Sequence, residues 1–151
     1  CLYHAITNMR VKKVFQIFDH VSIYLLIAGT YTPYCLVNLG GAFGWTMFGI
    51  IWGLAALGIT IYSVFGNKMR KISSITYILM GWLVLAAFIP LKNALPKLSF
   101  SMLIWGGLIY TVGFAFYSAK SVKWAHSIFH LFVIAGSVLH FFSVFFAMKS
   151  A

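Results

Sequence analysis

Five long apolar runs dominate the sequence, and each has the length needed to cross a membrane. They occupy about residues 18–39, 45–65, 72–91, 98–118 and 126–148, which we call spans A to E. A helix of ~20 residues crosses the ~30 Å hydrocarbon core, where lipid offers no partner for backbone amides and carbonyls. The sequence therefore predicts an all-α membrane protein. Because the polar connections are short, neighbouring spans should be antiparallel within one domain over residues 1–151.

Composition excludes an ordinary soluble domain, because 62% of the 151 residues are hydrophobic and only 8% are charged. The chain has eleven Lys and Arg residues but only one acidic residue. Because these cations lie between the apolar runs, they are better explained by membrane topology than by nucleic-acid binding. The positive-inside rule predicts an integral, multi-pass protein of a plasma or bacterial inner membrane with its C-terminus outside. The eight cations on the cytoplasmic side would be Arg10, Lys12, Lys13, Lys68, Arg70, Lys71, Lys120 and Lys123.

The sequence begins with Cys1 rather than Met, and the residues after it have the composition of the last turns of a helix. We interpret residues 1–9 as the end of an earlier span that stops before the basic segment 10–13. The chain is therefore expected to be truncated at its N-terminus. A signal peptide, a first span or an N-terminal lipid motif would lie in the part that precedes Cys1.

Four titratable residues are predicted to lie at one depth near the cytoplasmic face. Asp19, the only carboxylate, falls in the first turn of span A, and His4 falls near the end of the earlier span. His126 and His130 open span E and are one helical turn apart, separated by ~6 Å along the axis and ~40° around it. One ion can therefore contact both imidazoles.

These residue types favour an open zinc site with His4, His126 and His130 as ligands. Three protein ligands and a water are typical of catalytic zinc, whereas structural sites are usually closed by four protein ligands. Asp19 is the candidate catalytic residue, because a carboxylate beside a bound water can orient the water and take its proton.

Each of these residues also has a simpler interpretation. The histidine pair could make interfacial hydrogen bonds, and Asp19 could cap the start of span A. His20 points ~100° away from Asp19 on a helix, and His140 lies ~15 Å along span E from His130. We therefore predict structural or supporting roles for His20 and His140.

Other residues predict how the spans pack. Pro33 should kink span A or open a cavity beside it. Tyr34 suits a position in an interfacial aromatic belt. Small residues let helices approach closely, which favours helix contacts at Gly49, Gly53, Gly58, Gly106 and Gly113.

Three segments resemble the hemolysin III family, the bacterial branch of the progestin and adipoQ receptor group. They are FDHVSIYLLIAGTYTP at residues 18–33, LYHA at residues 2–5 and HSIFHLFV at residues 126–133. The resemblance runs along the whole chain. It implies a seven-transmembrane helical bundle, of which this chain would hold the end of the second helix and helices three to seven.

The resemblance also implies zinc near the cytoplasmic side, held by three histidines, with an aspartate reaching the metal through water. Those positions match His4, His126, His130 and Asp19. The family's serine, four residues before its first histidine, would fall just ahead of Cys1.

Three functions are compatible with such a protein. The leading hypothesis is a zinc-dependent hydrolase of a membrane lipid amide or ester, involved in membrane lipid homeostasis. The alternative is a non-catalytic lipid-sensing or signalling receptor-like protein with structural zinc. A cytolytic pore is less favoured, because polar residues in the spans are scattered rather than aligned.

Overall fold

The computed structural model describes residues 9–118 and 125–150, and all regular elements in these two ranges are helical. The α-helices are α1 Met9–Pro33, α2 Gly41–Phe65, α3 Arg70–Trp82, α4 Phe88–Ala94, α5 Lys97–Ser118 and α6 Ala125–Lys149. A π-helix, Tyr34–Leu39, continues α1, and 3₁₀ turns at Gly66–Met69 and Leu83–Leu85 precede α3 and α4. The prediction of an all-α fold is confirmed for this part of the chain.

Four described helices are long and apolar enough to cross a membrane, and α3 with α4 gives a fifth if the bent pair is one span. Large apolar side chains such as Phe18, Val64, Ile89 and Leu131 are exposed on the outer surface. A water-soluble protein rarely exposes so much apolar surface, whereas a membrane protein buries such a surface in lipid. The number seven for the complete bundle stays a prediction.

Helix α1 includes the basic segment that was expected to be a connection. It begins at Met9, and no glycine or proline interrupts it before Gly29. At its other end, the backbone changes from α-helix to π-helix directly after Pro33. Gly40 and Gly41 then turn the chain into α2 with φ of 57° and 53°, a region that favours glycine.

Span C is not the single straight helix that was expected. Helix α3 ends at Trp82, and α4 begins at Phe88 after a bend of 55°. Pro90 accounts for the break, since its ring would clash with the carbonyl four residues earlier in a continuous helix. In the first turn of α4 the missing N–H of Pro90 costs nothing, because first-turn amides have no helical partner.

Helices α5 and α6 pack closely against each other. Their contacts run in antiparallel register, from Gly106 beside His140 to Gly113 beside Phe132. Helix α1 packs on α2, α3 and α6. Between α1, the α3–α4 pair and the α5–α6 pair lies a cavity of about 350 Å³. This cavity adjoins the candidate site.

Candidate functional site

Asp19 lies in the interior of α1 and is half-buried. The helix begins ten residues earlier, at Met9, so the interpretation of Asp19 as a helix cap is wrong. The backbone carbonyl of Asp19 accepts a hydrogen bond from the Ser22 hydroxyl at 2.8 Å. A carboxylate at this position has no role in starting the helix, so another role is needed to explain it.

The two histidines of span E lie in the first two turns of α6, which begins at Ala125. The His130 side chain is half-buried, and its ring centroid lies 5.8 Å from that of Phe129. The side chain of His126 and the whole of His4 lie outside what the structure describes. The predicted ligand set therefore has one imidazole that can be placed.

One hydrogen bond joins the end of span A to α6 and allows an estimate of depth along each helix. The hydroxyl of Tyr34, the first residue of the π-helix after α1, donates to Ser143 Oγ of α6 at 2.7 Å. Asp19 lies about 22 Å before Tyr34 at helical rise, and His130 lies about 20 Å before Ser143. Spans A and E are predicted to run in the same direction, and α1 and α6 pack together, so we expect Asp19 and His130 to lie at nearly the same depth. His126, at about 26 Å before Ser143, is one turn lower.

A complete metal centre is not defined by the described side chains. Within residues 9–118 and 125–150, no group of three His, Cys, Asp or Glu side chains is placed to hold a metal ion. The donor types nonetheless fit Zn²⁺, because an imidazole and a carboxylate are ligands or partners suited to it, and both His130 and Asp19 are half-buried. Convergence of all four predicted residues stays a prediction.

His20, the neighbour of Asp19, ties three helices together. Its Nδ1–H donates to the Gln16 carbonyl at 3.1 Å, and its ring stacks on Tyr62 of α2 with centroids 4.2 Å apart. The hydroxyl of Tyr77 on α3 donates to the His20 carbonyl at 3.1 Å. These contacts fix the backbone of α1 beside Asp19, which agrees with the supporting role predicted for His20.

Tyr24 adds a second tie one turn further along α1. Its hydroxyl lies 3.0 Å from Ser73 Oγ of α3. Its ring covers Gly58 of α2, where a Cβ would overlap the ring. The segment of α1 that carries Asp19 is thus held from two sides by α2 and α3.

The cavity begins next to the candidate site. Ile23, one turn after Asp19 on the same face of α1, lines the cavity, and so do Phe129 and Val133 on either side of His130. The lining is almost entirely apolar and continues to His140. Sequence reasoning placed a cavity near Pro33 but did not find its lining, because the residues come from five helices that only the fold brings together.

Taken together, the apolar helices and the apolar outer surface define an integral, multi-pass membrane protein. The chain belongs to the family described as Haemolysin-III related, which matches residues 1–141. It is 46% identical to "Hemolysin-3" of Bacillus cereus and 43% identical to "Hemolysin-3 homolog" of Bacillus subtilis (strain 168), over 96% of the chain in both cases. The resemblance inferred from residues 2–5, 18–33 and 126–133 is confirmed.

The chain spans 66% and 68% of the length of these two relatives, about two-thirds. It is also 28% identical to the human "Monocyte to macrophage differentiation factor", over 89% of the chain and 56% of that protein. No solved structure matches the chain. Family membership therefore rests on sequence.

Proposed function

We propose that the protein is a zinc-dependent hydrolase that cleaves an amide or ester bond of a membrane lipid and serves membrane lipid homeostasis. The observation that carries this proposal is an apolar cavity whose lining includes Ile23, one turn after Asp19, and Phe129, which precedes His130. Hydrolysis needs a water and an acceptor for its proton beside a bound acyl chain. A carboxylate next to an apolar cavity supplies the proton acceptor and a place for the acyl chain.

His4, His126 and His130 would hold Zn²⁺, as neutral imidazoles do. When bound, the ion would supply Lewis acidity and bring the pKa of a water toward neutrality. Asp19 would orient that water and accept its proton at a carboxylate oxygen. The cavity would hold the acyl chain of the lipid and exclude other water, and His20 would keep α1 in place.

The test is Asp19→Asn in the full-length protein. This variant keeps the size of the side chain and removes the proton acceptor. We expect zinc content to be retained and lipid hydrolysis to fall by about 10²- to 10⁴-fold, the usual contribution of a general base. Metal analysis and mass spectrometry of lipid products measure the two properties separately.

Thr60→Val is the matched control, because its exposed hydroxyl only donates to the Ala56 carbonyl within α2. It should retain full activity. If Asp19→Asn cleaves lipid at the wild-type rate, Asp19 is not the base. If wild-type protein with bound zinc never yields a lipid product while His126→Ala lowers its thermal stability, the alternative of a lipid-sensing protein with structural zinc is correct.

We also propose that the C-terminus is outside the cytoplasm, since eight of the eleven cations lie on the opposite side of the predicted spans. Lys68→Cys and Ser150→Cys, in a cysteine-free background, mark the two sides. A membrane-impermeant maleimide added to intact cells should label position 150 and not position 68. The reverse pattern would overturn the orientation.

A further inference from the structure

Two short basic segments border the apolar helices. The first belongs to the start of α1 and precedes its candidate membrane span, which begins at Val14. The second follows the candidate span of α2, which ends at Phe65, and continues into the start of α3. We call residues 10–13 and 68–71 together the basic cluster. Its cations are Arg10, Lys12, Lys13, Lys68, Arg70 and Lys71.

Ring contacts between α1 and α2 fix the register of these two helices. The His20 ring stacks on Tyr62 with centroids 4.2 Å apart. One turn further along α1, the Tyr24 ring covers Gly58, which lies one turn earlier in α2. The two helices are therefore antiparallel, and the start of α1 lies beside the end of α2.

This register brings the two basic segments to the same end of the protein. Continued by one turn, it pairs Ile17 of α1 with Phe65, the last residue of α2. Lys13 lies ~6 Å before Ile17 at the rise of an α-helix, and Lys68 lies ~6 Å after Phe65 at the rise of a 3₁₀ turn. The two segments therefore border the apolar helices at a similar height, one beside the other.

The chain supplies little negative charge to balance the basic cluster. Asp19 is the only acidic residue of the sequence, so it can neutralise at most one of the cations. Like charges at one end of a protein repel each other, and salt in the surrounding water screens this repulsion only in part. The basic cluster therefore favours an anionic partner from outside the chain.

Apolar residues next to the basic cluster indicate which anion it fits. Val14 and Phe15 follow the first segment on α1, and Phe65 and Ile72 lie on either side of the second segment. All four side chains are exposed. A soluble anion would leave these side chains uncovered, whereas a phospholipid places phosphate at the height of the cations and acyl chains beside the apolar residues.

We propose that the basic cluster binds the phosphate headgroup of an anionic phospholipid, whose acyl chains lie along the exposed apolar residues next to it. Lys and Arg side chains are suited to this partner, because they donate charge-assisted hydrogen bonds to phosphate oxygens. The positive-inside rule accounts for the side of the membrane on which cations lie. The register of α1 and α2 adds that two basic segments can act on one headgroup. This binding does not depend on the proposed hydrolysis.

The experiment is a lipid titration of the full-length protein in a neutral detergent, followed by native mass spectrometry. The two probes are dioleoyl phosphatidylglycerol and dioleoyl phosphatidylcholine, which have the same acyl chains and differ in the net charge of the headgroup. We expect the first phosphatidylglycerol to bind with a Kd about tenfold lower than that of phosphatidylcholine, as a few cations at a membrane surface allow. Higher ionic strength should reduce this preference.

Removing the cations of either segment should weaken the preference for phosphatidylglycerol. One variant replaces the three cations of residues 10–13 with glutamine, and a second does the same for residues 68–71. Each should lower the tenfold ratio of Kd values to about threefold or less, because both segments act on the same headgroup. Lys12→Arg with Lys13→Arg keeps the charge and should keep the preference.

The matched control removes the same number of charges from other parts of the chain. It combines Lys92→Gln, Lys97→Gln and Lys149→Gln, which lie in α4, α5 and α6 outside the basic cluster. This variant should bind the two lipids as the wild-type protein does. Maleimide labelling of Ser150→Cys in intact cells verifies that each variant keeps its orientation in the membrane.

Equal affinity of the wild-type protein for the two lipids would overturn the proposal. An equal loss of preference in the matched control would overturn it as well, because net charge alone would then explain the binding. Millimolar inorganic phosphate should leave phosphatidylglycerol bound, and displacement by phosphate would show that the basic cluster binds a soluble anion instead. Asp19→Asn should keep the lipid preference, so failure of the proposed hydrolysis and failure of this proposal are distinguishable.

Discussion

The cavity has two walls that are built in different ways. The α5–α6 wall consists of two unbroken helices whose rings fit over glycines of the other helix: His140 over Gly106 and Tyr110 over Gly136. The α3–α4 wall is broken at Trp82, and the Tyr31 hydroxyl of α1 satisfies the freed backbone by donating to the Gly81 carbonyl and accepting from the Val84 N–H, both at 2.8 Å.

This difference indicates which wall can yield to a ligand. Close backbone approach and interlocked rings give a rigid pair, because any displacement must move several packed groups together. Non-helical backbone at membrane depth persists only where protein or a cavity provides hydrogen bonds. At the break between α3 and α4, the Tyr31 hydroxyl alone provides two of these hydrogen bonds. We therefore expect the α3–α4 wall to open at lower cost, and three substitutions test the comparison.

Gly106→Ala should have the largest effect, because the added Cβ would come within 2.8 Å of the His140 ring. Overpacking of this kind costs about 1–3 kcal/mol in the free energy of unfolding. Reversible unfolding of the purified protein in mixed micelles measures it. Gly107→Ala is the control on the next residue, since its Cβ would meet no atom within 4 Å. Equal stability of the two variants would show that the α5–α6 wall is not tightly packed.

Ser143→Ala should have an intermediate effect on the same wall. Ser143 Oγ donates to the Ser99 carbonyl at 2.6 Å and accepts from Tyr34. The substitution leaves two buried polar groups without this partner, so unfolding should become easier by about 1–2 kcal/mol. Thr111→Val removes a hydroxyl bonded only within α5 and should change stability little. No loss in Ser143→Ala would show that glycine contacts alone hold this wall.

Much of the rigid wall is predictable from the sequence, and much of the broken wall is not. Spans D and E were placed within one residue of α5 and α6, because unbroken apolar runs of membrane length have one stable structure in lipid. Pro90 indicates the break in span C, but a prediction based on hydrophobicity alone does not take it into account. Residues 83–87 themselves contain only good or moderate helix formers.

Individual contacts were harder to predict, because they depend on which faces meet. Gly58, Gly106 and Gly113 are close contacts with a neighbouring helix, as expected, whereas added Cβ atoms at Gly49 and Gly53 would meet nothing within 4 Å. Tyr34 was expected at an interface, but it is buried and bonded to Ser143. At the candidate site, helical periodicity could bring Asp19 and His130 to one depth. It could not reveal the cavity, whose walls come from distant segments.

Of the three substitutions, Tyr31→Phe should change the free energy of unfolding least, and its effect should be confined to the break between α3 and α4. Without the hydroxyl, the Gly81 carbonyl and the Val84 N–H lose their shared partner, which should cost about 0.5–1.5 kcal/mol. Hydrogen–deuterium exchange should accelerate by about fivefold to tenfold at the Val84 amide while the amides of α5 and α6 keep their protection.

Tyr77→Phe is the matched control for this prediction, because it also removes a tyrosine hydroxyl that joins α3 to α1, at the His20 carbonyl. Its contact lies before the break, so exchange at Val84 should be unchanged. If Tyr31→Phe leaves exchange at Val84 unchanged, the broken wall is held by apolar packing rather than by the hydroxyl. If it accelerates exchange throughout α5 and α6 as well, the two walls open together, and the distinction between a rigid and a yielding wall fails.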